Sequence, residues 1–210
     1  ALATYSATVA GMAMTTATAD QDRMIVAPHL DSKQGAWSGV KWGTENQVHW
    51  ECGIRTSSAI DNQWIWAGLK KTNVVELATD TEQAFFTFGT DADNAGQSFT
   101  DFTKLHFVHS IGGTDYISQL PITVAASTNY HLKIKFDSDR KVSIFVDGEQ
   151  YNVTSTSGST GGTAVTKGTT KSAAITDDVD LIPYIGIENC DAAAAVLNVQ
   201  FEAISRLIFE

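Results

Sequence analysis

The chain has 210 residues, a length at which an all-β sandwich commonly forms one domain. Hydrophobic residues make up 43% of it and charged residues 18%, which is ordinary for a folded globule and argues against disorder along the whole chain. The net charge of −10 disfavours nucleic-acid and anionic-membrane partners, because no basic stripe is present to release counterions. No apolar run approaches the ~20 residues that are needed to span a bilayer.

The first 19 residues are small, uncharged and weakly patterned. A segment of this kind gains order by adding a strand to a sheet edge or by lying along a neighbouring subunit, and it can equally form the first strand of its own domain. We predict an arm over residues 1–19 that mediates attachment or oligomerisation, followed by one domain over residues 20–210. The candidate assembly contacts are the larger side chains of the arm: Leu2, Tyr5, Val9, Met12 and Met14.

The next stretch reads as a series of short strands. Residues 47–55 alternate between apolar and polar side chains, which is typical of a strand with one buried face. Residues 64–69 are continuously apolar, as expected for a central strand that is covered on both faces. Further strands are predicted over 85–89 and 105–109, and a turn at 112–115 leads into a short strand that ends at Leu120. Pro121 then favours an edge or a connection.

The clearest local pattern runs from Tyr130 to Val153. Apolar side chains alternate with polar ones over residues 130–136, then again over 142–146, with turn residues at 137–140 between them. The pair Asp147-Gly148 provides the positive-φ corner of a second hairpin. This stretch therefore predicts three successive antiparallel strands, whose register is fixed by the buried row.

The segment 154–174 is a low-complexity run of Thr, Ser, Gly and Ala, which we predict to be a long exposed loop that buries little. Closing strands are predicted over 181–187 and 197–204, and apolar residues nowhere recur at helical spacing over three turns. Roughly a dozen short strands without a major helix predict an all-β, two-sheet antiparallel sandwich.

No catalytic set can be recognised in the sequence. Glycoside hydrolysis typically uses two carboxyl groups that face one glycosidic bond, but Glu51, Glu188 and Glu202 each lie on a predicted strand without an acidic neighbour two residues away. His106 and His109 are three apart on a predicted strand, so they should point to opposite faces and cannot chelate one metal ion. We therefore expect a chain that is not an enzyme and has no cofactor or metal.

Two features stay open at this point. Cys52 and Cys190 are either two buried thiols or one disulfide, since two cysteines do not define a disulfide framework. The acidic turns at 91–94 and 177–180 are either solvated loops, which is the commoner case, or sources of carboxylate ligands for calcium.

The five tryptophans raise the question of sugar stacking, because an exposed indole matches the C–H face of a pyranose. Trp50, Trp64 and Trp66 lie in apolar strand patterns and are predicted to be core residues. Trp37 and Trp42 flank glycines on a less regular strand, so they are the candidates for glycan contact.

The strand–turn–strand pattern of residues 131–137 and 142–148 resembles the core of concanavalin A-like lectin/glucanase jelly rolls. Three more segments fit the same pattern: 64–69, 181–187 and 197–206. The combination is similar to jelly-roll proteins encoded among the structural genes of tailed bacteriophages, where the module serves as a capsid decoration, head-fibre or tail component. The resemblance covers about residues 35–206.

This resemblance implies a jelly-roll fold and a non-enzymatic virion structural protein, a capsid decoration or head-fibre subunit at the virion surface. Its partners would be other virion proteins and further copies of itself. The alternative is a carbohydrate-binding, lectin-like module of an adhesin or tail fibre, with glycans as ligands. The sequence does not separate the two, because a decoration protein can also bind glycans.

Overall fold

The computed structural model describes residues 2–6, 10–28, 42–72, 80–89, 99–158 and 160–207. Within these ranges the helical structure is a single 3-10 turn at Thr44–Asn46, and no helix there is long and apolar enough to cross a membrane. In chain order the strands are β1 (Leu2–Ser6), β2 (Gly11–Thr15), β3 (Arg23–Val26), β4 (His49–Thr56), β5 (Gln63–Lys70), β6 (Gln83–Gly89), β7 (Lys104–Ile111), β8 (Thr114–Thr123), β9 (Asn129–Phe136), β10 (Val142–Val146), β11 (Glu149–Tyr151), β12 (Thr163–Ala164), β13 (Ile182–Asn189) and β14 (Val196–Ser205).

The strands form two seven-stranded sheets. Sheet A has the order β1-β2-β14-β4-β9-β10-β11, and sheet B has the order β12-β8-β7-β6-β5-β13-β3. Every pairing of named strands within the described ranges is antiparallel except that of β12 with β8. The predicted all-β, two-sheet antiparallel sandwich is confirmed.

Local alternation sets the main core between the two sheets, as the sequence predicted. In β9 the side chains of Leu132 and Ile134 are 1% and 0% exposed, whereas Lys133 between them faces away from the core and pairs with Glu51. The hairpin corner is observed at Asp147, with φ of 51°, and at Gly148, with φ of 83°. Strands β9, β10 and β11 therefore form the predicted three-stranded meander of sheet A.

Sheet B is buried on both of its faces. In β5, Ile65 and Leu69 point into the main core, whereas Trp64 and Trp66 point away from sheet A. These two tryptophans belong to a second apolar cluster, whose buried members are Trp64, Trp66, Phe85, Phe99, Val108, Ile117 and Tyr184. The continuous apolar run of β5 thus reflects burial on both faces, as predicted.

The N-terminal residues form a hairpin at one end of sheet A, in which β2 pairs with β14. Met14 is fully buried in the main core, so its prediction as an assembly contact is wrong, whereas Met12 is half-buried and packs against that core. Both methionines lie on β2, which is covered by the body of the sandwich. Leu2 and Tyr5 on β1 are 62% and 78% exposed, and Val9 lies outside the described residues.

Neither of the two cysteines forms a disulfide. Cys52 is fully buried in the main core, while Cys190 is half-buried and packs against the second cluster. Burial raises the pKa of the Cys52 thiol well above its usual value, so this side chain stays neutral. Of the two alternatives that the sequence left open, the structure shows two thiols that are not joined in a disulfide.

The segment 154–174 follows β11 at one edge of sheet A and contains β12, the strand at one edge of sheet B. Most of its side chains are exposed, as predicted, but its backbone is held by hydrogen bonds that its composition did not indicate. Its peptide groups bond to both sheets: the N–H of Asn152 donates to the carbonyl of Thr166 at 3.0 Å, that of Gly158 to Asp115 at 2.8 Å, and that of Val165 to Gln119 at 2.9 Å. Backbone hydrogen bonds do not depend on side-chain identity, which is why composition alone did not indicate them.

Replacement of residues 155–171 by a short Gly-Ser connector should lower the free energy of unfolding by several kcal/mol. Each backbone hydrogen bond that is lost contributes about 0.5–1.5 kcal/mol net, which exceeds the gain in loop-closure entropy. Urea unfolding followed by circular dichroism measures the difference. The double variant Ser155→Ala/Thr169→Ala, which changes only exposed side chains of the segment, should unfold like the wild type. A connector variant that is as stable as the wild type would contradict this prediction.

Candidate functional site on the outer face of sheet B

The face of sheet B that points away from sheet A, here called the outer face, carries a polar row across four strands. Lys70 of β5, Gln83 of β6, Ser110 of β7 and Asp115 of β8 lie directly opposite one another in the ladder. Gln83 Nε2 donates to Ser110 Oγ at 2.7 Å, and Ser110 Oγ donates to Asp115 Oδ1 at 2.5 Å. Burial raises the pKa of Asp115, and the hydrogen bond from Ser110 opposes that rise. Gln83, Ser110 and Asp115 are thus joined by a chain of hydrogen bonds at one end of the outer face.

The buried cation at the end of this row is compensated within the protein. Lys70 is 1% exposed, and its Nζ lies 3.6 Å from Asp80 Oδ2. The ammonium also lies 5.2 Å from the ring centroid of Phe85 and 5.7 Å from that of Tyr184. A buried charge is tolerated only with such partners, so Lys70 joins the polar row to the aromatic part of the face.

Two indole rings lie along the sheet because a glycine stands opposite each of them. Trp66 is paired with Gly186 and Trp64 with Gly89. A Cβ atom added to Gly186 would lie 2.4 Å from Trp66 Nε1, and one added to Gly89 would lie 2.4 Å from Trp64 Cε3. Each indole therefore fills the space above a glycine and is held flat in a fixed orientation. Trp66 stacks with Tyr184 at 6.0 Å between ring centroids.

Around these indoles, buried polar atoms lack a hydrogen-bond partner among the described residues: Trp64 Nε1, Trp66 Nε1 and Glu188 Oε1. Glu188 lies directly opposite Trp64, and its other carboxylate oxygen accepts a hydrogen bond from Arg23. In sheet A, by contrast, Trp50 Nε1 donates to Glu202 Oε1 at 2.9 Å. A buried polar group that lacks a partner costs about 1–3 kcal/mol and calls for an explanation. The outer face thus holds hydrogen-bonding capacity that these residues do not use themselves.

Strand β7 places its two histidines on opposite faces of sheet B, as predicted from the sequence. His106 lies on the outer face and stacks on Phe99 with ring centroids 4.0 Å apart. His109 lies on the inner face and stacks on Tyr116 at 4.7 Å. Burial lowers the pKa of each imidazole to about 4, so both are neutral at pH 7.

A hydroxyl-lined cleft of about 310 Å³ adjoins the outer face at the β12 edge of sheet B. Its hydroxyl side chains are Thr100, Thr156, Ser157, Thr160 and Thr163, all of them exposed. Ile117 belongs to both the cleft and the outer-face cluster, and Gly162 of the cleft packs closely against Ile117 and His106. The outer face itself is enclosed, since Trp64, Trp66, Phe85 and Tyr184 are no more than 2% exposed. The open cleft therefore borders the enclosed outer face through Ile117.

Of the two residues predicted for glycan contact, Trp42 is the one that the structure describes, and it does not line this site. Trp42 is half-buried and packs against the main core, and Trp37 lies outside the described residues. Trp64 and Trp66 are buried as predicted, but on the outer layer of sheet B. The signal that could have placed them there is their spacing of two residues, which puts both side chains on one face of a strand.

Within the described ranges no group of three or more His, Cys, Asp or Glu residues is arranged to hold a metal ion. Of the two acidic turns, Asp177 pairs with Arg140 at 3.4 Å, and residues 91–94 lie outside the described ranges.

Comparisons with protein-family models and with curated proteins find no match. Among solved structures, a protein of unknown function from Shewanella oneidensis MR-1 has a TM-score of 0.55 at 11% identity, with 99% of this chain and 74% of that chain covered. A family 7 alginate lyase in complex with substrate has a TM-score of 0.53 at 14% identity, covering 95% of this chain and 79% of the lyase. An alginate lyase from Pseudomonas aeruginosa has a TM-score of 0.53 at 9% identity, with coverage of 97% and 85%. The chain has the concanavalin A-like jelly-roll fold. At these identities the likeness establishes the fold alone.

The two buried histidines predict a specific dependence of stability on pH. Because the folded-state pKa of about 4 lies below the ordinary value of 6.5, the unfolded chain takes up protons first as the pH falls. The contribution of the two neutral, buried imidazoles to the free energy of unfolding is therefore complete above pH 6.5. It is lost as the pH falls from 6.5 towards 4, by up to about 3 kcal/mol for each histidine. Urea unfolding across this interval measures the loss.

The variant His109→Phe keeps an aromatic ring against Tyr116 but removes one of the two titrating groups. It should lose markedly less stability than the wild type between the two pH values. His49→Gln, at an exposed position of β4, should keep most of the wild-type loss. If His109→Phe lost as much stability between the two pH values as the wild type does, the imidazole of His109 would not be the source of that loss.

Proposed function

We propose that the chain is a non-catalytic, carbohydrate-binding module of lectin-like type, which binds a glycan at the outer face of sheet B and the hydroxyl-lined cleft beside it. The observation that carries this proposal is the set of buried polar atoms without partners, Trp64 Nε1, Trp66 Nε1 and Glu188 Oε1, on a face built from aromatic rings. A sugar offers C–H surfaces that pack on aromatic rings and hydroxyl groups that pair with such donors and acceptors.

The geometry of the face suits a flat, polar ligand. The glycines opposite Trp66 and Trp64 hold both indoles along the sheet, so that the rings are ordered before a ligand arrives. Preorganised rings lose little conformational entropy on binding, which favours affinity. The cleft adds exposed hydroxyl groups at the edge from which a glycan chain would approach.

The proposal that the chain is non-catalytic is supported by the partners that the nearby carboxylates bind within the protein. Asp80 pairs with Lys70, Glu188 is bound by Arg23, and Asp115 accepts a hydrogen bond from Ser110. Glycoside hydrolysis requires two carboxyl groups that face one glycosidic bond as acid and as nucleophile or base. The carboxylates of this face have roles in holding the protein together instead. Two solved structures with this fold are alginate lyases, and the proposal extends to this chain their class of ligand but not their reaction.

The variants Trp66→Phe and Trp50→Phe form a matched pair that tests the site. Each removes an indole N–H, but only Trp50 Nε1 has a protein partner, Glu202. We expect Trp66→Phe to bind glycan at least about tenfold more weakly than the wild type, which corresponds to about 1.4 kcal/mol, because a ligand hydrogen bond is lost. Trp50→Phe should keep the affinity while it lowers the free energy of unfolding, since Glu202 loses its donor. A glycan array identifies the ligand, and titration calorimetry and urea unfolding give the two quantities.

Three results would contradict the proposal. A wild-type chain that binds no neutral or acidic glycan has no lectin-like function. Equal affinities of wild type and Trp66→Phe would show that the outer face is a second core rather than a binding site. Release of unsaturated uronates from alginate, followed by their ultraviolet absorbance, would show an enzyme.

A second candidate function is that of a capsid decoration or head-fibre subunit at the surface of a tailed-bacteriophage virion. It is favoured by the exposure of Leu2 and Tyr5, which are large apolar side chains on a strand at the end of sheet A. Exposed apolar groups on a sheet edge are typical of surfaces that pair with another chain. The resemblance of the strand pattern to phage structural proteins supports the same assignment, and a particle subunit with this fold can also bind glycans.

The particle assignment predicts that the chain co-sediments with virions in a density gradient. Deletion of residues 1–6 should abolish incorporation into particles while the melting transition of the domain persists, because β2 with its buried Met14 is kept. Immunoblotting of gradient fractions measures incorporation. A chain that occurs only in particle-free fractions would contradict the virion role and would leave the glycan-binding proposal unaffected.

A further inference from the structure

Strand β1 is a sheet edge that is open on one side. It is the terminal strand of sheet A and, among the described strands, pairs with β2 alone, from Leu2 opposite Thr15 to Ser6 opposite Gly11. Its first four residues are exposed. Such an edge presents a row of backbone N–H and C=O groups that can pair with another strand.

The other three edges of the two sheets are shielded in ways that β1 is not. The β11 edge of sheet A is bonded to the segment 154–174, and an ion pair between Glu149 and Lys167 spans it at 3.1 Å. In sheet B, β12 has two residues and β3 carries the charged Arg23. The sequence of β1, Leu-Ala-Thr-Tyr-Ser, has no charge and no proline, the usual devices against strand pairing.

We propose that β1 pairs antiparallel with β1 of a second copy of this chain, so that the two A sheets join into one continuous sheet around a two-fold axis. The uncharged strand permits this even though each chain carries a net charge of −10. An antiparallel strand that meets its own copy forms an isologous contact, in which the same surface serves on both sides. The inference depends on neither the glycan site nor the virion role.

The side chains of β1 are self-complementary when the two-fold axis passes through Thr4. Each Tyr5 then lies opposite the small Ala3 of the other copy, and the two Tyr5 rings become diagonal neighbours on one face, about 7–8 Å apart, within reach of each other. Within one chain Tyr5 is paired with Met12, which packs against the main core, and directly opposite residues share a face of the sheet. The apolar layer of the core therefore continues through Tyr5 into the second copy, and its 78% exposure in the single chain would fall.

A charge swap at Thr4 tests this pairing. Thr4 is exposed, so Thr4→Lys and Thr4→Glu should melt like the wild type, but each places two like charges directly opposite one another at the axis. Sedimentation velocity over a range of concentrations should show a wild-type dimer and two monomeric variants. An equimolar mixture of the two variants should form a heterodimer, because opposite charges then meet. Thr169→Lys, at an exposed position away from β1, should dimerise like the wild type.

A wild-type chain that stays monomeric at every concentration would overturn the inference. So would a Thr4→Lys variant that dimerises as well as the wild type, since the contact would then lie elsewhere. Failure of the mixture to associate, with both variants folded, would equally reject an antiparallel pairing centred on Thr4. None of these outcomes bears on glycan binding by the single chain, so the two proposals can fail separately.

Discussion

Strands β5, β6 and β13 are buried at every one of their positions, because sheet B has an apolar cluster on each side. A sheet in that situation cannot leave a polar side chain to water, so each one must find a partner inside the protein. Lys70 has Asp80, Gln83 has Ser110, and one oxygen of Glu188 has Arg23. The same constraint makes the remaining unpaired atoms informative, since the indole N–H groups of the outer face are buried at the same depth. Trp64 Nε1, Trp66 Nε1 and Glu188 Oε1 are the atoms that the proposed ligand would pair with.

The outer face of sheet A, in contrast, carries polar side chains that are partly exposed to water. There Glu51 lies 2.7 Å from Lys133 and 3.0 Å from His131, at positions that are partly open to water. The hydrogen bond from Lys133 lowers the pKa of Glu51, but an exposed pair of this kind adds little stability. Phe201 is 44% exposed and covers Gly53 of the neighbouring strand. Sheet A therefore faces solvent and ends in an open edge, whereas sheet B is enclosed and holds the candidate ligand groups. This division would separate the proposed assembly contacts from the proposed ligand contacts in space.

The parts of the structure that could be predicted from the sequence are those that depend on residues close together in the chain. The alternation around Ile134 and the corner at Asp147-Gly148 are local patterns, and both were confirmed. The polar row of the outer face could not be predicted, because Lys70 and Asp115 are placed in one row by the register of three strand pairings. Met14 was misassigned for the same reason: its burial comes from pairing of β2 with β14, at the other end of the chain. A segment of small residues carries no pattern of its own that could indicate such a distant partner.

The two proposals become connected through the symmetry of the sandwich. A two-fold axis perpendicular to sheet A at β1 places both B sheets on the same side of the joined sheet, so their outer faces point in the same direction. The clefts lie at the far ends of such a dimer, because β12 is bonded to β8 at the side of the sandwich where the segment 154–174 meets β11. Neither cleft is then covered by the dimer contact. Two sites that face one glycan-bearing surface bind with an avidity that can exceed the single-site affinity by roughly 10²–10⁴. A hydroxyl-lined cleft that binds one glycan weakly would then suffice for firm attachment. Because β1 joins the two copies, this five-residue strand would determine whether the chain gains that avidity.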